Sequence, residues 1–215
     1  HRLLDHNPTR GLGVQRIETR EPRVLSDEQR CVLLELAARS ANVRTPALFA
    51  LGYWAGCRVS GVSHLKTADC DFVASPPTIR VGFKNDKQRT IALLPEAHTP
   101  LQAYLLSEER AADSVYVFTS QRSPRLSEQG VHAWFRRFKA AAPPPEDELI
   151  TDLTYHDLRH DFAHRMRERG WTLEELALYL GHTNQQGWPV LTATLRSTQA
   201  GHADILARMQ EAAGD

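Results

Sequence analysis

The sequence predicts a mainly α-helical domain with one small antiparallel β-sheet. Three observations carry this: repeated helix-capping signatures along the chain, a single stretch near residues 71–93 where the apolar period changes from helical to alternating, and no strand–helix alternation of the dinucleotide-binding kind. At 215 residues with 41% hydrophobic and 24% charged residues, the chain has the length and composition of one good-sized globular domain plus a short arm.

Residues 1–24 carry Pro8, Gly11, Gly13 and Pro22 among charged residues without a sustained period, which predicts an extended interdomain linker or arm. The domain proper is expected over 25–215. Ser26-Asp27-Glu28-Gln29 is a capping-box start, and Cys31, Leu34, Leu36 and Ala37 follow as an apolar face. Thr45-Pro46 places proline at a first helical position, and that helix runs through Phe49 and Tyr53 towards Gly56. Arg58 follows, and Ser60 is expected to cap a short helix containing Val62 and Leu65.

Asp71-Phe72-Val73, Thr78-Ile79-Arg80-Val81 and Arg89-Thr90-Ile91-Ala92-Leu93 then read as short antiparallel strands. Asn85-Asp86 is turn chemistry and puts Lys84 at a hairpin tip. Helices are expected from about Pro95 to Glu108 and from Ser127 to Ala140, and Pro143-Pro144-Pro145 forces a loop. Thr154 and Asp157 form a capping box that sets His156 in the first turn of the next helix. Thr172 and Glu175 cap another, Leu173 to Leu180, stopped by Gly181 with His182 just beyond. A last helix is expected from about Ala203 to Ala212.

The charge balance, 26 Lys plus Arg against 26 Asp plus Glu, argues neither for nor against nucleic acid, so any DNA footprint must be local. The stretch from Arg80 to Lys139 is richer in bases than acids, and Arg136, Arg137 and Lys139 on one helix are candidate phosphate contacts. Cys31, Cys57 and Cys70 lack metal-type spacing and are expected to be buried reduced thiols. No apolar run approaches membrane-spanning length, and His1-Arg2-Leu3-Leu4 is unlike a signal peptide. The chain opens without an initiator Met and is expected to be a piece of a longer protein.

The functional signal concentrates at Tyr155-His156-Asp157-Leu158-Arg159-His160. On a helix His156 and Arg159 share a face, and a guanidinium beside an imidazole suits a phosphate oxyanion held while a proton moves. Arg159 is flanked by the apolar Leu158 and Phe162, where an arginine wants a buried anion. His156, His160 and His164 recur every four residues, but without a carboxylate or cysteine at metalloprotein spacing zinc is disfavoured and no cofactor is expected. Taken singly, Arg58 could be a helix-end cation, Lys84 a soluble turn residue, and His182 a partner for the last helical carbonyls.

In this order the set resembles the catalytic domain of tyrosine recombinases, the phage-integrase family. The matching pieces are Gly56-Cys57-Arg58-Val59-Ser60, Phe83-Lys84-Asn85-Asp86-Lys87-Gln88-Arg89, His156-Asp157-Leu158-Arg159-His160 and Leu180-Gly181-His182, over roughly residues 24–212. The resemblance implies metal-free phosphoryl transfer on double-stranded DNA, in site-specific recombination or integration of a mobile element. Arg58 and Arg159 would hold the scissile phosphate, Lys84 would protonate the leaving 5′ oxygen, His156 would exchange a proton with the nucleophile, and His182 would donate to a phosphate oxygen. It also implies an N-terminal DNA-clamping domain, self-association or a recombinase partner on DNA, packing of the segment after Ala200 on a neighbouring subunit, and a cytoplasmic, nucleoid-associated location. No membrane and no small-molecule substrate are implied.

Two departures stand out. The family's nucleophilic tyrosine is expected ten to fifteen residues beyond the last histidine, where this chain has Leu191-Thr192-Ala193-Thr194-Leu195-Arg196-Ser197-Thr198-Gln199, with Ser197 in its place. No tyrosine follows Tyr179, which itself reads as a packing residue. Gly61 stands where the family usually has an acidic residue. The expectation is a recombinase-like DNA-binding protein impaired in cleavage, a pseudoenzyme; the alternative is an inactive regulatory or structural partner of an active recombinase.

Overall fold

The computed structural model describes residues 23–82, 88–121, 123–184 and 186–198. The expected arm before residue 23, the hairpin tip with Lys84, and the expected helix at 203–212 lie outside the described residues. Nine α-helices and three strands occur among them: α1 Asp27–Arg39, α2 Arg44–Tyr53, α3 Val59–His64, β1 Cys70–Asp71, β2 Thr78–Val81, β3 Arg89–Ala92, α4 Pro95–Leu106, α5 Glu128–Lys139, α6 Glu146–Ile150, α7 Tyr155–Glu168, α8 Leu173–Leu180 and α9 Leu191–Thr198.

The capping residues start the helices where the sequence places them. Ser26 accepts from the Gln29 N–H at 3.2 Å while the Gln29 side chain accepts from the Ser26 N–H at 3.0 Å. Asp157 accepts from both the N–H and the hydroxyl of Thr154, at 2.6 and 2.8 Å, and Glu175 does the same for Thr172. These partners satisfy donors that the first helical turn leaves open. Three details differ from expectation. The short third helix begins at Val59 with Arg58 as its cap, so Ser60 lies inside it. The first strand stops at Asp71, and Val73 is 97% exposed. After the three prolines the chain recovers at once into α6, which the proline run masked in the sequence.

The sheet is antiparallel in the order β1-β2-β3, with Ile79 opposite Ile91 and Val81 opposite Arg89. Ile79, Val81 and Ile91 are buried and supply its apolar face. Helix α2 lies at the centre of the domain, packed against α4 and α7, and Tyr155 of α7 donates its hydroxyl to the Leu48 carbonyl at 2.8 Å. A Cβ on Gly52 would stand 2.8 Å from the Tyr155 ring, so the glycine permits this close approach of α2 and α7. Phe162, Met166, Leu176 and Leu180 form a smaller apolar cluster between α7 and α8.

The other side of α7 holds a buried ionic tie. Asp161 is fully buried and accepts from Arg165 at 2.7 Å and from Arg30 of α1 at 2.9 Å, while the Arg165 guanidinium stacks over the Tyr53 ring at 4.0 Å. Removing one member of such a group leaves buried charge uncompensated. Asp161→Ala is therefore expected to lower stability by about 3–5 kcal/mol in urea unfolding. An unchanged midpoint would mean the two arginines re-solvate freely.

Candidate functional site

Four segments converge at one end of α7. After α2, Gly56 adopts φ +58° and turns the chain so that Arg58 starts α3. A Cβ there would meet the Phe162 ring at 2.5 Å, so both backbone conformation and space require glycine. Gly56→Ala is expected to cost about 2–5 kcal/mol, adding left-handed strain to overpacking, read as a lowered thermal midpoint. A midpoint within about 2 °C of the parent would contradict this.

Arg159 is 2% exposed and is held from both flanks of the site. Its Nη1 donates to the Gly56 carbonyl at 2.5 Å, and its Nη2 donates to the Leu180 carbonyl at 2.7 Å. The same Nη2 lies 3.1 Å from His182 Nε2. A guanidinium has no acceptor, so His182 Nε2 accepts and the proton of the neutral ring belongs on Nδ1. That nitrogen stands 3.1 Å from the hydroxyl of Thr194, on α9. His182 follows Gly181, left-handed at φ +71°, and is pinned on both sides: its N–H donates to Ala177 and its carbonyl accepts from Val190.

Arg89 enters from the sheet. Its Nε donates to the Tyr179 carbonyl at 2.6 Å, and its guanidinium covers Gly181 so closely that a Cβ there would be 2.5 Å away. His156 lies on the exposed side of the cluster with its ring edge-on to His160, centroids 4.5 Å apart. Partial enclosure pushes the His156 imidazole down to about 4, helped by His160, Arg159 and Arg58. Enclosure, then Arg159, Arg58, Arg89 and His160, push His182 down to about 3. Every charged neighbour that shifts His182 is a base. Preorganised donors of one sign, partly out of water, suit an anion.

The chain matches the model of the phage integrase family over residues 23–187. The chain belongs to that family. Among curated relatives, it is 31% identical over 190 residues to the tyrosine recombinase XerC of Roseiflexus sp. (strain RS-1), covering 84% of this chain and 58% of that protein. It is 28% identical over 194 residues to XerC of Chlamydia muridarum, covering 88% and 59%. The chain thus spans under three fifths of each of these two relatives. Among solved structures, the XerA recombinase superposes with a TM-score of 0.72 at 24% identity, over 90% of this chain and 66% of that one. XerH bound to its difH substrate gives 0.67 at 21%, over 91% and 55%. The fold is that of a tyrosine-recombinase catalytic domain, mostly helical with a small sheet.

Of the residues expected in this integrase-family site, Arg58, His156, Arg159 and His182 come together, and Lys84 lies outside the described residues. Position 197 falls on α9, one turn after Thr194 and beyond the matched stretch 23–187. Tyr179 packs: its ring stacks on Phe162 at 5.4 Å and its hydroxyl donates to the Ala92 carbonyl at 3.0 Å. Burial raises its phenol far above the usual range, which makes it a poor nucleophile. Gly61 is buried in α3, and a Cβ on it would make ordinary contact with Val81 at 3.8 Å, so an acidic side chain there would point at the sheet.

The basic face of α5 divides. Arg136 and Arg137 are exposed, and Arg136 borders an open groove of 440 Å³ with His132 and Thr154 that leads to the start of α7. Lys139 departs from the expected phosphate contact. It is 7% exposed, and its ammonium donates to the carbonyls of Thr151 and Leu153. The cysteines also differ: Cys57 is buried, with burial pushing its thiol up to about 11, whereas Cys70 is half-buried and Cys31 exposed; all three are free. No group of three metal-ligating side chains occurs among the described residues, and no described helix is long and apolar enough to cross a membrane.

Sequence reasoning did not single out Arg89, His160 or Thr194 as members of this cluster. Arg89 was legible only as the end of the hairpin motif, and Thr194 as one of several threonines around the missing tyrosine. The two histidines carry a pH dependence. Both have folded values below the ordinary 6.5, so the unfolded chain binds more protons below that pH. The DNA-free chain is expected to keep full stability above about pH 6.5 and to lose it as pH falls towards 4, measured as urea midpoints at pH 7.5, 6 and 4.5. Equal loss in a His156→Gln, His182→Gln variant would assign the effect elsewhere.

Proposed function

We propose that this chain is the catalytic-domain portion of a site-specific recombination or integration protein that binds duplex DNA and grips the scissile phosphate, with cleavage impaired because serine stands at position 197. The observation that carries the reading is the convergence of Arg58, Arg159 and His182 with Arg89 around one basic, partly enclosed spot. A DNA partner is supported by structures of the same fold: XerH bound to its difH substrate and the Tn1549 integrase in complex with circular intermediate DNA.

In this reading Arg58 and Arg159 hold the non-bridging oxygens and offset their charge in the pentavalent state, with Lys84 as the acid for the 5′ oxygen. His156 is exposed and neutral at physiological pH, fitting a group that takes a proton from a nucleophile. His182 has a stricter part. Its Nε2 is turned to Arg159, so donation to a phosphate oxygen requires the ring to gain a second proton as the anion arrives. An anion among these bases would raise the imidazole's proton affinity and favour that step. Arg136 and Arg137 would track the duplex backbone, positioning the protein without reading sequence.

A second reading, an inactive partner filling one slot in a recombinase assembly, is favoured by the serine itself; the segment after Ala200, where such contacts are expected, lies outside the described residues. DNA binding measured against salt tests the shared part. Affinity is expected to fall steeply between 50 and 200 mM salt, by about 10³-fold or more if six phosphates are contacted. Arg136→Ala with Arg137→Ala should flatten the slope by roughly two phosphates' worth. A salt-independent affinity would remove the phosphate-grip reading for both accounts.

A further inference from the structure

Thr194 is fully buried, and its hydroxyl makes two contacts of different kinds. It lies 3.4 Å from the Val190 carbonyl, the back-bond a helical threonine often makes, and 3.1 Å from His182 Nδ1, on the loop that precedes its own helix. The second contact is not explained by helix chemistry. Because the Arg159 guanidinium can only donate, His182 Nε2 is the acceptor and Nδ1 carries the proton. Thr194 Oγ1 accepts a hydrogen bond from that N–H, and its hydroxyl donates to the Val190 carbonyl. The chain Arg159 to His182 to Thr194 to Val190 thus runs in one direction with every donor matched.

We propose that Thr194 is a positioning residue whose hydroxyl accepts from His182 Nδ1–H and holds the ring in the orientation that keeps Nε2 on Arg159, and that it ties the seating of α9 to the phosphate site. The consequence for α9 is specific. The helix carries position 197 one turn beyond Thr194, so a correctly seated α9 and a correctly oriented His182 ring depend on the same hydrogen bond. Helix α9 packs on both α7 and α8, the elements that supply Arg159 and lead into His182. A fixed partner on the second ring nitrogen is the general way an imidazole is aimed.

The assignment deepens the phosphate-grip reading and rests on it for its functional part, so the test has two arms. In the first, ring-nitrogen NMR of the DNA-free chain reports which His182 nitrogen carries the proton. The parent and Thr194→Ser are expected to show Nδ1–H, whereas Thr194→Val, similar in shape but without the hydroxyl, should free the ring to turn away from Arg159 and so show a mixture with Nε2–H. In the second, adduct formation on nicked DNA by the Ser197→Tyr chain is expected to slow about five- to tenfold with Thr194→Val and to recover with Thr194→Ser, while DNA affinity stays within about twofold. Nδ1–H persisting in Thr194→Val, or Thr194→Ser behaving like Thr194→Val, would overturn the proposal. If the Ser197→Tyr chain forms no adduct, that counts against the recombinase reading, and the NMR arm alone decides the role of Thr194.

Discussion

Replacing Ser197 with tyrosine is expected to make the chain attach covalently to a nicked suicide substrate, whereas the parent chain is expected to bind the DNA without cutting it. Two physical differences separate the side chains. Serine's oxygen lies about 4 Å closer to the backbone than tyrosine's, from bond geometry, so a phosphate placed for tyrosine is out of its reach. A phenol titrates near pH 10, and an aliphatic alcohol is a far weaker acid, so a serine phosphodiester would be a poor leaving group in a reaction that must reverse. The measurement is a denaturing gel of protein with labelled nicked DNA, parent against Ser197→Tyr. An adduct from the parent chain would sink the non-catalytic reading and require another nucleophile. No adduct from either chain, with DNA still bound, would mean that more than the nucleophile has been lost, favouring the inactive-partner account.

Arg159→Lys is expected to have the next largest effect, and to act on both stability and chemistry. The fork reaches Gly56, Leu180 and His182 from one rigid plane, and an ammonium on a flexible stem cannot span the same three acceptors. Leaving a buried carbonyl without its donor costs about 1–3 kcal/mol, so the urea midpoint should fall accordingly. Adduct formation by the Ser197→Tyr chain should fall by about 10²–10³-fold, the scale for losing one preorganised donor to a developing anion. A lysine variant that reacts within tenfold of its parent would show that Arg159 is a structural clamp and not a phosphate ligand.

Much of the fold was legible because capping is local chemistry. Ser26 with Gln29, Thr154 with Asp157 and Thr172 with Glu175 act within three residues, so their geometry follows from spacing. Helix α6 was masked because three consecutive prolines report only that a helix ends there. The basic face of α5 was half legible: the sequence shows that Arg136, Arg137 and Lys139 are basic but not that Lys139 faces inward to two carbonyls. Charge in a sequence has no direction until the helix is docked.

The sequence by itself determined the fold class, the order of Arg58, His156, Arg159 and His182, and the absence of any tyrosine after Tyr179. These depend on residue identity and on spacings short enough for helix geometry to fix. Only the tertiary structure decided which polar atoms meet: Arg159 on carbonyls 103 and 21 residues away, Arg89 over Gly181, and Thr194 on His182. Those meetings follow from the packing of α2, α7, α8, α9 and the sheet, where a glycine at 56 lets Phe162 close in and a left-handed turn at 181 aims the histidine. A few tenths of an ångström there set hydrogen bonds that no local pattern encodes.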